Sequence, residues 1–457
     1  MRNILPQNLL HLAQNCPAPL YVVGGSVRDF LCGYRSTNGD WDICAPMSPD
    51  VFGQAAKQAG FTVRAIYRNT GTVKLCAPDK TEYEYSCFRS DKYVRGVHQP
   101  VEIFFTDDIQ KDARRRDFTA NAVYYDINAD TFVDPLNGIA AIHEKRLTTV
   151  APAKKVFGED GLRLMRLARF AAQLGFSPDK DCLQGARENA ALIKDISAER
   201  IFSELCAILS ADKRYGVPDG AYHGLRLLDE MGVLPYILPE LTQGKGMAQR
   251  PDFHKYDVLE HSFRAVKYAD ERVRFAALLH DVGKPLCLSR DGNAHAHHTE
   301  GEHLCREILT RLKAPKRFAE RTVKLVALHM YDFDCKTSEN KLRRFFAKNA
   351  ELLDELLLLK QADFSACTDD TSIAPTCAKW KALLHTMYEE NAPFRLKELA
   401  VSGNDLLDVG ILPTHIATVL QKLLDHAVVH PSENEKSRLC KLAKGFEKNI
   451  ANKPQAH

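Results

Sequence analysis

The chain has 457 residues, too many for one ordinary hydrophobic core, so its length predicts two to four domains. Hydrophobic residues make up 45% and charged residues 26%, and the net charge of +3 excludes a nucleic-acid binder that is basic throughout. The first residues lack a signal-peptide pattern, and no stretch approaches the ~20 apolar residues of a membrane helix. The 13 cysteines form no CxxC pair. We therefore expect a cytoplasmic protein with reduced thiols and no membrane contact.

The first 140 residues or so differ in pattern from the rest. After about Gly158, apolar residues recur with helical spacing. Earlier, Gly, Asn, Asp and Pro turns separate short β-type runs, which lie at 21–23, 62–67, 73–75 and 83–85. This pattern predicts an α+β fold, in which a head with a small mixed or antiparallel sheet precedes a long all-α neck, body and tail.

We predict four domains from these changes of pattern. The predicted ranges are 1–140 for the head, 141–245 for the helical neck and body, 246–370 for a region rich in His and Asp, and 371–457 for the helical tail.

A strand, a glycine pair and a helix start follow one another at residues 21–29. Gly24 and Gly25 would let a triphosphate approach the backbone, and Arg28 lies one turn into the helix, where it could add a charge-assisted contact. Taken alone, this pattern is also typical of an ordinary turn.

Asp40 and Asp42 form a carboxylate pair with a spacing of two, running into the apolar Ile43. On a strand, both carboxylates would face the same way and could hold hard cations together with substrate phosphates. A polar turn is the alternative for an isolated pair of this kind.

An arginine cluster follows at residues 114–116. Arg115 and Arg116 could reach a triphosphate, while Asp117 and Asn121 would share a face if the segment were helical. A solvated run of charges is the alternative, but it does not explain the apolar Phe118.

Together the three segments closely resemble the head of the class II tRNA nucleotidyltransferase and bacterial poly(A) polymerase superfamily. The resemblance implies a polymerase-β-like nucleotidyltransferase head in which Asp40 and Asp42 are catalytic and hold two Mg²⁺ ions. It implies ATP and CTP as nucleotides and an RNA 3′-hydroxyl as nucleophile. The nucleotide-binding residues that it implies in the head are Gly24, Gly25, Arg28, Arg115, Arg116, Asp117 and Asn121.

Asp160, Arg163 and Arg166 are spaced by three at the expected start of the first long helix, so we expect them on one helix face. A surface ion pair is the simpler interpretation of that spacing. The segment resembles the family's Glu-Asp-x-x-Arg motif, which implies that Asp160 and Arg163 read the base as a protein template. The same resemblance places Arg166 and Arg169 near the triphosphate.

Residues from about 250 to 370 resemble an HD-type metal-dependent phosphohydrolase domain. Adjacent His280 and Asp281 lie at a helix end, and other His and Asp residues follow. The resemblance implies a divalent transition metal or Mg²⁺, held by His261, His280, Asp281 and Asp363. It also places His298, His329 and Lys284 near a substrate phosphate. Whether such a domain is hydrolytically active or an inherited scaffold stays open.

The resemblance implies an enzyme that adds or repairs the 3′-terminal CCA of tRNA from CTP and ATP, releases pyrophosphate, and has no obligatory protein partner. The alternatives are an enzyme that adds only CC or only A, a poly(A) polymerase, an HD phosphohydrolase with a silent head, and a non-catalytic RNA-binding module. Basic residues between 313 and 344 and between 436 and 448 are the candidate RNA contacts.

Overall fold

The computed structural model describes residues 1–34, 41–93 and 100–451. The chain forms two compact units. Unit 1 contains Met1–Gln243 and Glu307–Pro315, and unit 2 contains Gly244–Arg306 and Lys316–His457. The predicted division into four domains is finer than this one and stays a prediction.

Unit 1 begins with a seven-stranded sheet in the order β3-β4-β5-β2-β1-β8-β9. Strands β6 and β7 form a separate hairpin, and β10 and β11 a short parallel pair. The strands are β1 Tyr21–Val23, β2 Asp42–Ala45, β3 Thr62–Tyr67, β4 Thr72–Cys76, β5 Glu82–Cys87, β6 Arg89–Lys92, β7 Glu102–Phe105, β8 Tyr124–Asp126, β9 Thr131–Val133, β10 Arg146–Leu147 and β11 Ser177–Pro178.

Strand β2 lies inside the large sheet, between β1 and β5. It pairs antiparallel with β1 and parallel with β5, which makes the sheet mixed, as predicted. Ile43 is buried beside Val22 and Tyr85, and this burial fixes which face of the strand enters the core. Asp42, at the start of β2, is exposed and lies opposite Val23 and Glu84.

The rest of unit 1 is helical. Helix α7 is its centre, because ten of its 13 residues are buried, and it ends at Gly175, whose φ of +66° is left-handed. The helices are α1 Gln7–Asn15, α2 Gly25–Leu31, α3 Pro49–Gln58, α4 Ile109–Arg114, α5 Gly138–His143, α6 Ala153–Glu159, α7 Leu162–Leu174, α8 Lys180–Asn189, α9 Ala198–Leu209, α10 Ala211–Tyr215, α11 Gly220–Glu230, α12 Leu234–Ile237 and α13 Pro239–Thr242.

The expectation that Asp160 lies on the same helix as Arg163 was wrong. Helix α6 ends at Glu159, and Asp160 is extended with φ −146° and ψ 109°. The break occurs where another part of the chain comes close: a Cβ at Gly161 would lie 2.7 Å from the carbonyl oxygen of Leu192. A larger residue at this position would therefore collide with backbone.

Unit 2 is all helical among the residues that the structure describes. Its first helices surround the His and Asp residues noted in the sequence, and the last three pack around Leu406, Leu423 and Leu439. No helix in the described ranges is both long enough and apolar enough to span a membrane. The helices are α14 Val258–Tyr268, α15 Arg274–Leu279, α16 Lys284–Asp291, α17 His297–Arg311, α18 Lys316–Leu328, α19 Glu339–Lys348, α20 Leu353–Thr368, α21 Pro375–Glu389, α22 Gly403–Asp408, α23 Ile416–Ala427 and α24 Lys436–Ala451.

Candidate functional site

The glycine turn after β1 lies directly beside the carboxylate at the start of β2. Gly24 has a left-handed φ of +83°, which favours glycine, and a Cβ there would lie 3.1 Å from Asp42 Oδ2. Gly25 then begins α2. The turn therefore leaves room next to Asp42 on the exposed end of the strand. Asp40, the other predicted catalytic carboxylate, lies outside the described residues.

Arg28 is buried and joins two of the predicted segments. Its Nη1 donates to Asn121 Oδ1 at 2.7 Å, and its Nε and Nη2 donate to Asp29 Oδ1 at 3.0 and 2.6 Å. The hydroxyl of Tyr215, on α10, donates to Asp29 Oδ2 at 2.6 Å. The sequence gave no signal for Tyr215, which lies 186 residues from Asp29.

Asp117 is the centre of a buried hydrogen-bond network. Its Oδ1 accepts from the Phe118 backbone amide at 2.8 Å and from Asn121 Nδ2 at 3.0 Å, and its Oδ2 accepts from Arg166 Nε at 2.7 Å. Burial alone would raise the pKa of Asp117, but Arg166 and these hydrogen bonds hold it well below its usual range. The predicted helical face was wrong, because Asp117 precedes a single 3₁₀ turn at Thr119–Asn121.

Arg115 and Arg116 surround a carboxylate that was not among the predicted site residues. Arg115 Nε lies 2.7 Å from Asp112 Oδ1, and Arg116 Nη2 lies 3.1 Å from Asp112 Oδ2. The Tyr124 hydroxyl also donates to Asp112 Oδ2 at 2.6 Å. Burial opposes ionisation of Asp112, but Arg116 and Arg115 lower its pKa to about 2. Its spacing of three and four residues from the arginines on α4 was the available signal.

Asp160 and Arg163 both have partners at the junction between α6 and α7. Arg163 is 5% exposed, and its Nη1 donates to Glu159 Oε2 at 2.8 Å and to the Val156 carbonyl at 2.9 Å. Its Nη2 donates to the carbonyl of Arg115 at 2.8 Å. Asp160 Oδ1 accepts from the backbone amide two residues on. The guanidinium of Arg163 is therefore held in one orientation.

Three arginines predicted to bind nucleotide approach one aromatic ring. The guanidinium carbons of Arg28 and Arg166 lie 5.1 Å from the centroid of the Phe170 ring, and that of Arg169 lies 4.4 Å from it. Arg169 Nε also donates to Glu204 Oε2, on α9, at 2.7 Å. The structure thus concentrates positive charge from α2 and α7 around Phe170, which the sequence analysis missed.

The four predicted metal ligands of unit 2 lie together in space. His261 Nε2 is 3.1 Å from His280 Nε2 and 3.0 Å from Asp363 Oδ1. His280 Nε2 is 3.3 Å from both Asp281 Oδ2 and Asp363 Oδ1. Ligand atoms 2.0–2.2 Å from one ion at tetrahedral or octahedral angles lie roughly 3.0–3.5 Å apart, so these residues fit a shared divalent cation.

The same site strongly favours a positive charge. Burial alone would lower the pKa of His280, but the carboxylates of Asp281 and Asp363 raise it to about 10. Lys284 Nζ lies 2.6 Å from Asp281 Oδ2 and donates to Gln249 Oε1 at 2.7 Å.

Two further histidines lie on the other side of Asp281. His297 Nε2 is 3.2 Å from Asp281 Oδ1 and 3.2 Å from His329 Nε2. Burial lowers the pKa of His329 well below its usual range. The buried position of His329 differs from the expected place beside a substrate phosphate, and the sequence analysis gave no role to His297.

Three family models match successive parts of the chain. They describe the Poly A polymerase head domain at residues 20–148, a probable RNA and SrmB-binding site of polymerase A at 175–244, and an HD domain at 254–364. The A-adding tRNA nucleotidyltransferase of Deinococcus radiodurans is 33% identical over 373 residues, which are 78% of this chain and 78% of that one. The chain belongs to the tRNA nucleotidyltransferase and poly(A) polymerase family.

Another member of this family, the CCA-adding enzyme of Geobacillus stearothermophilus, is 34% identical over 270 residues, 58% of this chain and 59% of that one. The predicted resemblance is therefore confirmed, and the protein is a nucleotidyltransferase with an HD domain. The nucleotidyltransferase family implies the use of divalent metal ions.

Solved structures of family members share the fold. The Bacillus stearothermophilus CCA-adding enzyme in complex with CTP aligns with a TM-score of 0.69 at 24% identity, covering 97% of this chain and 98% of that one. The Thermotoga maritima CCA-adding enzyme complexed with tRNA_CCA aligns with a TM-score of 0.62 at 16% identity, covering 96% and 94%. These alignments confirm the predicted head followed by an all-α neck, body and tail.

Proposed function

We propose that this chain adds the CCA sequence to the 3′ end of tRNA from CTP and ATP, without a nucleic-acid template and with release of pyrophosphate. The observation that carries the proposal is the position of Asp42, at the exposed start of a central strand and beside the Gly24 turn. Relatives support the substrates, since the similar structures were solved with CTP and with tRNA.

Asp40 and Asp42 are the residues that would hold two Mg²⁺ ions, which would stabilise the charge on the attacking and leaving oxygens. The turn at Gly24 and Gly25 would bind the triphosphate through backbone amides, because no side chain blocks that approach. Arg166, held by Asp117, would offset the negative charge of the phosphates.

Asp160 and Arg163 would select the base. A carboxylate accepts hydrogen bonds and a guanidinium donates them, so the pair can match the edges of cytosine and adenine. The bonds from Arg163 to two carbonyls and to Glu159 support this role, because they fix the direction of its donors before a nucleotide binds.

A-only addition is the second candidate. The D. radiodurans relative bears the name of an A-adding enzyme and aligns over 78% of this chain, against 58% for the G. stearothermophilus CCA-adding enzyme. The two proposals differ only in which tRNA ends are extended and by which nucleotide.

The experiment uses three tRNA transcripts, ending before the CCA, after the first C, and after CC, each with labelled CTP, labelled ATP or both. We expect the first transcript to grow by C, C and A. Asp42→Ala should abolish growth, whereas Asp50→Ala, at an exposed carboxylate on α3, should leave it unchanged. Extension of the CC transcript alone would establish the A-adding alternative. No extension of any transcript would overturn both.

We also propose that the HD domain hydrolyses phosphate esters. The buried set formed by His261, His280 and Asp363 supports this, together with the adjacent Lys284, which could bind a substrate phosphate. Hydrolysis of bis(p-nitrophenyl) phosphate would be measured with Mg²⁺, Mn²⁺ or Ni²⁺. We expect His280→Asn to abolish it and Asp42→Ala to leave it intact. A rate in His280→Asn equal to that of the parent would reject the proposal.

A further inference from the structure

We propose that the HD domain holds two divalent cations, bridged by Asp281. One would lie between Asp281 Oδ2, His261, His280 and Asp363, and the second between Asp281 Oδ1, His297 and His329. The second position lies outside the ligand set that the resemblance implies, and it is a binding site whether or not the proposed hydrolase is active.

The distances in the second group match ligands of one ion. His297 Nε2 lies 3.2 Å from both Asp281 Oδ1 and His329 Nε2, and His329 Nε2 lies 3.9 Å from the same carboxylate oxygen. All three ligand atoms are within 4.8 Å of one another. The longest of these distances would shorten when the ligands close around a cation at about 2.1 Å.

The tautomers of these histidines point in the same direction. His297 Nδ1 lies 2.7 Å from the Ala294 carbonyl and His329 Nδ1 lies 2.6 Å from the Val326 carbonyl. A carbonyl oxygen only accepts, so each Nδ1 carries the hydrogen. Each Nε2 of the neutral rings then holds a lone pair. Two lone pairs 3.2 Å apart repel each other, and both face a carboxylate oxygen.

A cation between these atoms would remove the repulsion. The backbone bonds at Nδ1 are also the outer contacts that orient imidazole ligands in metal sites. His280 has the same arrangement, with Nδ1 2.8 Å from the Ala277 carbonyl. Three histidines on three different elements thus present Nε2 lone pairs to the two oxygens of one aspartate.

Burial makes the simpler alternative costly. Asp281, His297 and His329 are 1%, 3% and 2% exposed, so solvent does little to offset their unpaired acceptors. The chain also approaches closely to bring them together: a Cβ at Gly283 would lie 2.2 Å from the His297 carbonyl oxygen. Glycine at this position allows the first turn of α17 to reach the His280-Asp281 segment.

The donor set indicates the class of ion. Four imidazoles and two carboxylates favour first-row transition metals such as Mn²⁺, Fe²⁺, Co²⁺ or Ni²⁺, whereas Ca²⁺ prefers oxygen ligands. A carboxylate that bridges two ions through its two oxygens places them about 3.5–4 Å apart.

The test counts Mn²⁺ ions on the full chain after chelator treatment, in an Asp40→Ala, Asp42→Ala background that removes the proposed ligands of the head. We expect two ions per chain and an electron paramagnetic resonance spectrum of an exchange-coupled pair. His297→Gln and His329→Gln should each retain one ion and lose the coupling. His303→Gln, an exposed histidine on the same helix, is the matched control and should retain two.

One ion per chain in the parent would overturn the proposal, as would two ions in His297→Gln with the coupling preserved. If His297→Gln does not fold, as judged by circular dichroism without metal, His329→Gln and the coupling in the parent decide. Two coupled ions without hydrolysis of bis(p-nitrophenyl) phosphate would reject the hydrolase and leave the two-ion site standing.

Discussion

The guanidinium of Arg166 lies 2.6 Å from the carboxylate of Asp117 and joins helix α7 to the segment that precedes strand β8. Asp117 in turn binds Asn121, and Asn121 binds Arg28. A single hydrogen-bonded chain therefore connects three segments that the sequence marked separately. It passes beneath the proposed nucleotide site and sets the relative positions of the residues that would bind the triphosphate.

Arg166→Ala should destabilise the protein by about 3 kcal/mol, because Asp117 stays buried and loses its charged partner. The two other hydrogen bonds to Asp117 limit the loss. Urea unfolding measures it. Arg187→Ala is the matched control, since the exposed pair of Arg187 with Glu230 should contribute no more than about 1 kcal/mol. Equal losses in the two variants would show that the buried network adds no stability.

Asp112 should make the stability of the head depend on pH. Its pKa is lowered to about 2 in the folded protein from 3.8, so its contribution is complete above about pH 4 and is lost as the pH falls through 2. At pH 7 we expect Asp112→Asn to lower the free energy of unfolding by about 2 kcal/mol. Urea unfolding of both proteins between pH 7 and pH 3 should show this difference shrinking below pH 4. A difference that does not change with pH would contradict the assignment.

Removal of the proposed base-reading groups should relax nucleotide choice. We expect Arg163→Ala and Asp160→Ala to reduce the preference for CTP over UTP by roughly 10- to 100-fold, because each loses hydrogen bonds to the base edge. The measurement is kcat/KM for each nucleotide on one transcript. Lys155→Ala, at an exposed lysine one turn before Glu159, is the control and should preserve the preference.

Gly283→Ala should disturb the HD domain, because a Cβ there would lie 2.2 Å from the His297 carbonyl and 2.6 Å from the amide nitrogen of Gly301. Two backbone segments would have to separate, and we expect a loss of about 1–3 kcal/mol. Thermal unfolding without metal measures it. Gly445→Ala is the control, since no atom lies within 4 Å of a Cβ there and alanine favours a helix; this variant should gain about 0.5–1 kcal/mol. A stable Gly283→Ala variant would show that α17 moves freely.

The sequence predicted the architecture well where the signal was local. The strand at 21–23, the glycine turn after it and the helix that begins at Gly25 follow from β-branched residues, glycines and helical spacing. The histidines and aspartates of unit 2 were also recognisable as a group, although His261 and Asp363 lie 102 residues apart.

The rest depended on contacts between distant parts of the chain. The break at Gly161 exists because the Leu192 carbonyl approaches it, and no local pattern announces that approach. The partnership of Tyr215 with Asp29 and that of Glu204 with Arg169 likewise require the folded arrangement of α2, α7, α9 and α10. The role of Asp112 rests on complete burial, which a charged residue in an arginine-rich segment does not suggest.

Unit 1 is built from two stretches of chain, and this has a consequence for how the protein is made. Residues Glu307–Pro315 supply Arg311, which pairs with Glu240, and Lys313, which pairs with Glu199. A ribosome synthesises these residues only after it has passed most of the sequence of the HD domain. The nucleotidyltransferase unit can therefore begin to fold early in translation, but its last contacts form only after residue 315 has emerged.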